Sequence, residues 1–246
     1  MHNPARYLIF FQYIGTKYSG VVKVPPQQQG GKKGVQDHLE DAIRRLRPLN
    51  PVSLSVSSRT DAGVHALSNS AHFDLQRKND KPPFTEDILV EALNFHLGTE
   101  QIRITHAHRV PDDFHARFRA LSRTYVYRIA LGVSHFSQLP LTDRDLCWSL
   151  HRTEMPLWEL TFRSRSFLYK QVRRMTGALV AVGQGRLSVP QLKEIMEARD
   201  SLAYPQGLVA PARGLFLTKV DYRETDLQLS QQTSEQQLPS SGNSED

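Results

Sequence analysis

This 246-residue sequence predicts an α+β fold of two ferredoxin-like (split βαβ) halves that share a mainly antiparallel central sheet flanked by helices, the second half incomplete. Three observations predict it. Short runs alternate apolar and polar residues, as strands do. Longer runs place apolar residues three and four apart, as helices do. Their order is β-α-β-β-α-β before a similar but broken series begins.

Tyr7, Ile9, Phe11 and Tyr13 alternate like a strand with one buried face. Met1 to Arg6 lacks the apolar core of a signal peptide and the Arg-rich amphipathic run of a transit peptide, so little leader is expected. Gly15 to Gly31, with its Gly, Pro and Gln, is expected to be loop. Val35, Leu39, Ala42, Ile43 and Leu46 fall on one helical face, and Pro48 blocks continuation. Val52, Leu54 and Val56, then Ala71, Phe73 and Leu75, alternate on either side of a loop, Arg59 to Leu67, of unusual composition. Thr85 stands where an N-cap belongs, with Glu86 and Asp87 in the first turn, where carboxylates favour the helix dipole. Ile88, Leu89, Ala92 and Leu93 make that helix's apolar stripe, and Ile102, Ile104 and Val110 predict the strand after it.

In the second half, Tyr125, Tyr127, Ile129 and Leu131 predict a strand, and Trp158, Leu160 and Phe162 another. Val172, Met175, Leu179 and Val182 predict a helix ended by Gly183 and Gly185. Ser188 and Pro190 open a short helix through Leu192, Ile195 and Met196, and Leu215 to Tyr222 closes the series as a strand. Against the first half, a helix and a strand are missing between Leu131 and Trp158. The predicted organisation is an N-terminal half over 1–110, a C-terminal half over 111–223 truncated between about 148 and 157, and a disordered polar tail over 224–246.

Hydrophobic residues make up 39% and charged ones 23%, the usage of an ordinary globular chain rather than a mostly disordered one. No apolar run approaches the ~20 residues a membrane-spanning helix needs. A single cysteine, Cys147, excludes an intrachain disulfide and a zinc site built from several cysteines, and suits a reducing compartment. The net charge of +6 hides a more basic body, because Glu224 to Asp246 holds five acids and no Lys or Arg. Without that tail, 31 basic residues face 20 acidic ones, and 22 of the 31 are Arg, whose planar fork binds phosphate and stacks on bases. This balance points to a nucleic-acid partner.

The loop Ser57-Ser58-Arg59-Thr60-Asp61-Ala62-Gly63-Val64-His65 puts an Arg, an Asp and a Gly at a strand end, where a rigid sheet can aim a carboxylate into a cleft. The same composition suits a hydrogen-bonded turn that needs Gly63. From Leu160 to Leu192 there are six Arg or Lys and no acid. Lys170, Arg173, Arg174 and Gly177 fall at i, i+3, i+4 and i+7, so they are expected on one helix face opposite the Val172, Met175 and Leu179 stripe. His106 and His108 share a strand face without a third metal ligand, and His65 and His72 form no evident site. A glycosidase would need paired carboxylates, and the loop offers only Asp61.

Arg59-Thr60-Asp61-Ala62-Gly63-Val64-His65 resembles the signature loop of the TruA-type tRNA pseudouridine synthases. The resemblance covers about 200 residues in seven ordered motifs, an amount of matching chain that fills a whole domain. Tyr18-Ser19-Gly20 resembles the family's early glycine turn, Gly34-Val35-Gln36 its helix start, and Pro111 to Phe118 its central motif. Arg123 to Tyr127 resembles the strand that follows, Phe167 to Met175 the late basic helix, and Gly214 to Leu217 the closing strand. Within the family the sequence is most similar to the animal mitochondrial branch.

What the resemblance implies is an isomerase that converts uridine to pseudouridine in tRNA, in the anticodon stem-loop, with other RNAs left open. The reaction has no redox change, so neither metal nor cofactor is expected. Asp61 is implied as the acting carboxylate, attacking sugar or base or promoting elimination from the sugar. Arg173 is implied as its ion-pair partner, a neighbouring guanidinium favouring the ionised carboxylate. Arg59 is implied to assist entry of the flipped nucleotide or bind phosphate, Tyr125 to stack on the target base, and Leu215 to wall the uracil pocket. Tyr125 is preferred to Tyr127 on the motif alone. Arg117, Lys170 and Arg174 are expected to bind RNA. Extruding the target nucleotide costs a few kcal/mol, offset by stacking and phosphate contacts. A homodimer and a mitochondrial location, with cytoplasm or nucleus as the alternative, follow from the resemblance as expectations.

Two departures stand out. Val21 follows Gly20 where bacterial members have a tryptophan. Between Trp148 and Leu157 family members carry roughly fifty more residues, including a helix, the size of a supersecondary unit. Such an omission is expected to expose sheet surface and to displace Arg173 from Asp61. The alternative function is therefore an RNA-binding chain impaired in catalysis.

Overall fold

A computed structural model describes residues 4–23, 31–79, 81–132, 139–140, 143–150, 157–200 and 202–229. Along the chain lie β1 (Ala5–Tyr13), α1 (Val35–Arg45), β2 (Ser55–Val56), β3 (His65–Leu75), α2 (Glu86–Leu97) and β4 (Ile102–Arg109). They are followed by β5 (Ser122–Leu131), β6 (Trp148–Leu150), β7 (Leu157–Ser164), α3 (Gln171–Gly183), α4 (Val189–Ala198) and β8 (Leu215–Asp221).

All eight strands join one sheet, in the order β4-β1-β3-β8-β5, with β2 on β3 and both β6 and β7 on β5. Five pairings are antiparallel, and two short ones, β3 with β8 and β5 with β6, are parallel. The α+β class and the mainly antiparallel sheet are as expected. β3 and β8, from the first and second halves of the sequence, pair where His65 faces Phe216 and Ala66 faces Leu217. A strand has only two edges. Because β7 runs along residues 123–130 of β5, β8 (against 122–127) and β6 (against 129–131) must share the other edge end to end.

The first half follows its periodicity closely. Val35, Leu39, Ala42 and Ile43 are the buried face of α1, and Asp37 accepts from the Gly34 N–H at 2.9 Å to cap it. Glu40 on that face is 1% exposed, unforeseen from its charge. Its carboxylate is compensated by Lys23 and Arg44 and by donors from Gln36 and Leu54 N–H. Thr85 does occupy the N-cap of α2, but its hydroxyl caps nothing. β1 departs from the expectation of one buried face. Tyr7, Ile9, Phe11 and Tyr13 enter the main core, while Leu8 and Phe10 are buried on the other face with Val110, Phe114 and Ala116. A central strand between β3 and β4 is covered on both sides, so alternation underestimates its burial.

His72, on β3, is buried with Nδ1 accepting the Ala116 N–H at 3.2 Å and its ring 4.6 Å from that of His115. Burial, then the like charge of His115, pushes its pKa down from 6.5 to about 4. An unfolded chain therefore takes up a proton there first as pH falls. The stability contributed above pH 6.5 should be lost progressively between pH 6.5 and about 4. Urea titrations at pH 7 and pH 5 should show this loss, and His72→Gln should reduce the difference between them.

The second half differs more. The buried face of α3 is Val172, Thr176, Gly177, Ala178 and Ala181, whereas Leu179 is 51% exposed. Gly177 thus lies on the packed side and not on a basic face. A Cβ there would stand 1.6 Å from the Leu208 carbonyl oxygen, so only glycine lets α3 approach the 206–210 segment this closely. Ser188 and Pro190 open α4 as predicted, with Gln191 completing a capping box, yet no residue of α4 is buried. Among the described residues β7 pairs only with β5, and Leu157 and Trp158 are exposed on it. Exposed sheet surface is what the missing segment led us to expect. Between Leu131 and Trp158 the described residues include the strand β6 but no helix. Residues Glu224–Leu227 form a 3-10 turn with Asp226 3.4 Å from Arg119, past the predicted start of the tail. Residues 230–246 lie outside the described residues. No helix among the described residues is long and apolar enough to cross a membrane.

Candidate active site

Asp61 lies in the turn between β2 and β3, its carbonyl accepting the Val64 N–H at 3.2 Å, with Gly63 at φ +77°. The turn and the site are the same structure. Behind it, buried polar groups hold the loop. Tyr13 Oη and Thr60 Oγ1 are 2.8 Å apart, Asn69 Nδ2 donates to the Ser58 carbonyl at 3.1 Å, and Asn69 Oδ1 accepts from Ser57 Oγ at 3.0 Å. Gly20, at φ +109°, abuts the Thr60 carbonyl, which accepts the Val21 N–H at 3.2 Å. Such a network fixes a carboxylate better than a free loop, because each buried polar atom in it has one position that satisfies it.

Arg173 Nη1 donates to Asp61 Oδ2 at 2.9 Å, joining residues 112 apart in sequence. Both side chains are largely buried, at 14% and 25% exposure. Arg173 is itself held, its Nε donating to the Ala210 carbonyl at 2.7 Å while its own carbonyl accepts the Ala210 N–H at 3.1 Å. The expectation that the shortened second half displaces Arg173 is not met. Its anchor is the contact between α3 and residues 206–210 that Gly177 permits.

Tyr125 and Leu215, 8% and 6% exposed, line the same cleft. Tyr125 meets Phe167 edge to face at 5.3 Å, and burial above all pushes its phenol well above the ordinary range, so the hydroxyl stays protonated at neutral pH. Tyr127 is different. Its hydroxyl donates to the Pro211 carbonyl at 2.7 Å and its ring packs against Trp148, outside the cleft. Of the two tyrosines, Tyr125 is the one that lines the cleft.

The cleft has a volume of about 1300 Å³. Among the described residues Asp61 is the only acid on its wall, against Arg59, Arg117, Arg123, Arg165, Lys170 and Arg173. Arg59 and Arg117 are exposed at its surface. Lys170 immediately precedes α3 in a left-handed conformation, φ +56°, rather than starting the helix. Arg174 is not brought to the cleft; its guanidinium lies 5.8 Å from the Tyr204 ring centre. The expected face of Lys170, Arg173 and Arg174 is therefore divided, because α3 is rotated to put Gly177 against the backbone of Leu208.

Arg123, to which the motif by itself assigns no role, is the most connected side chain here. It is 7% exposed and its five N–H donors reach Ser58 Oγ, and the carbonyls of Ser57, Ala120, Arg117 and Arg165. No lysine offers that fork. Arg123 ties the Asp61 loop to two other segments of the cleft wall. The signal for it was its place two residues before Tyr125, in phase with the alternating Tyr125, Tyr127 and Ile129, where burial demands partners.

The candidate metal ligands are structural. His65 accepts the Gly15 N–H at Nδ1, reaches the Arg213 carbonyl at 3.2 Å through Nε2 and stacks on Phe216. His106 stacks on Phe10 with ring centres 4.2 Å apart. Among the described residues no three His, Cys, Asp or Glu gather as a metal site.

The fold is thus a mixed sheet that presents one carboxylate, ion-paired to Arg173, in a cationic cleft. The family model described as tRNA pseudouridine synthase matches residues 9–119 and 142–223, and the chain belongs to that family. Among curated proteins it is similar to tRNA pseudouridine synthase-like 1 of Xenopus laevis, 44% identical, covering 92% of this chain and 95% of the relative. The human protein of the same name is 42% identical, covering 89% and 90%, and tRNA pseudouridine synthase A of Maricaulis maris 34%, covering 88% and 98%. The Xenopus comparison extends over 285 positions although this chain has 246 residues, so the relative carries internal residues without counterpart here.

Proposed function

We propose that this chain isomerises uridine to pseudouridine in tRNA, with Asp61 as the acting carboxylate. The observation that carries the reading is the Asp61–Arg173 ion pair at 2.9 Å in a cleft whose other charged lining residues, among those described, are all cations, with Tyr125 and Leu215 in the same lining. In the reaction the bond from the sugar to uracil N1 breaks and one from the same carbon to C5 forms. The C5 proton leaves and N1 gains one, so atoms and electrons balance without a redox partner. A carboxylate in this position serves attack on sugar or base, and elimination from the sugar, alike. Tyr125 offers an aromatic edge and a protonated hydroxyl, and Leu215 an apolar wall. Arg59, Arg117 and Lys170 suit phosphate contacts.

The reading of two ferredoxin-like halves belongs to this proposal. It is supported by the strand order β4-β1-β3-β2 of the first half. The anticodon stem-loop as target, a homodimer and mitochondrial placement are proposals that rest on family resemblance; light scattering and organelle fractionation test the last two.

The test is release of tritium from 5-tritiated uridine in tRNA, run with a binding titration at several salt concentrations. Product is expected, together with affinity that falls steeply as salt rises, because phosphate contacts release counterions. Salt-sensitive binding without product would instead favour the catalytically impaired RNA-binding chain, a reading to which the exposed β7 edge lends support.

A further inference from the structure

We propose that Phe118 and Tyr169 are stacking platforms for unpaired bases that neighbour the target uridine. This rests on the RNA-modifying reading above and adds a requirement, that the substrate be locally single-stranded around the target.

Large apolar side chains are normally withdrawn from water, yet Phe118 is 71% and Tyr169 69% exposed, and both line the cleft that holds Asp61. Each ring is flanked by the cation next to it in sequence. The Arg117 guanidinium lies 5.7 Å from the Phe118 ring centre and the Lys170 ammonium 4.8 Å from that of Tyr169. An aromatic face beside a positive charge is the unit that holds single-stranded nucleic acid, the ring taking a base and the cation the adjoining phosphate. A protein partner with an acidic surface would match the cations, but both rings stand on the wall of the cleft that holds Asp61, where the RNA enters in the reading above.

The platforms are also held in place. Phe118 donates its N–H to the His115 carbonyl at 3.1 Å and its ring lies against that of His115, centres 4.3 Å apart. Tyr169 is two residues before α3, whose first turn is tied by Gln171 Oε1 accepting the Leu168 N–H at 2.8 Å. Arg123 links the segments that carry the two rings, through the carbonyls of Arg117 and Arg165, both at 2.7 Å. Bases on either ring would therefore keep a set relation to Asp61. Stacking of this kind tolerates any base, so it reads strandedness and not sequence.

The probe is an RNA stem-loop with 2-aminopurine placed in turn on each side of the target uridine. Binding to the wild-type chain should quench its fluorescence. Phe118→Ala and Tyr169→Ala should each weaken binding about 5- to 100-fold and remove the quenching at one flanking position, while Phe118→Trp and Tyr169→Phe keep both. An abasic residue at that position should cancel the loss caused by the matching alanine variant. Unquenched fluorescence on tight, salt-sensitive binding, or equal losses on normal and abasic RNA, would overturn the stacking proposal and leave the RNA reading intact. Absence of salt-sensitive binding by the wild-type chain would overturn the RNA reading first.

Discussion

Asp61→Asn should lower pseudouridine formation by at least about 10,000-fold, the order of loss seen when a chemically acting residue is removed. The change keeps the shape of the side chain, and an amide oxygen can still accept from Arg173 Nη1, now at 2.9 Å from the carboxylate. The fold should survive, because the loop is held from behind by Tyr13, Asn69 and Arg123 and not by Asp61 itself. Binding of tRNA should be as tight or slightly tighter, since a negative charge leaves a cationic cleft. Tritium release reads the chemistry and a salt titration the binding. A variant that still forms product at the wild-type rate would remove Asp61 from the reaction.

Arg173→Lys should lower turnover by about 100- to 1,000-fold while changing tRNA affinity much less, the cost of losing one oriented charge-assisted donor at a reacting group. Charge is conserved, so geometry alone is tested. Arg173 divides its fork between Asp61 Oδ2 and the Ala210 carbonyl, and an ammonium on a flexible stem cannot keep both. Asp61 would remain near a cation but without a fixed direction. If Arg173 acts only as a phosphate contact, the same variant should instead weaken binding with turnover at saturating tRNA unchanged. Single-turnover rates at saturating enzyme separate the two outcomes.

The first half was legible because its elements are set by their own periodicity. α1 buries the residues that recur at helical spacing, and β1 buries all four of its alternating residues. The error there, a single buried face for β1, comes from neighbours on the sheet that alternation does not see. The second half was less legible for a related reason. Leu179 reads as core by hydrophobicity, yet it faces outward because Gly177, Ala178 and Ala181 let α3 pack backbone to backbone. Small residues carry little apolar signal, but they decide how closely a helix approaches its neighbour. The same rotation separates Arg174 from Lys170 and Arg173.

Residue types and spacings by themselves determined that the chain is α+β, that its body is strongly basic, and that Asp61 stands in a turn at a strand end. Motif order added Arg173, Tyr125 and Leu215 as its companions. Only the tertiary structure decided that Asp61 and Arg173 meet, that Tyr127 is locked to Pro211 while Tyr125 reaches the cleft, and that Arg123 spends every donor on its walls. Local sequence carries propensity over a few residues. Contacts between residues 112 apart depend instead on how one glycine and one carbonyl allow two elements to close, and that is a property of packing.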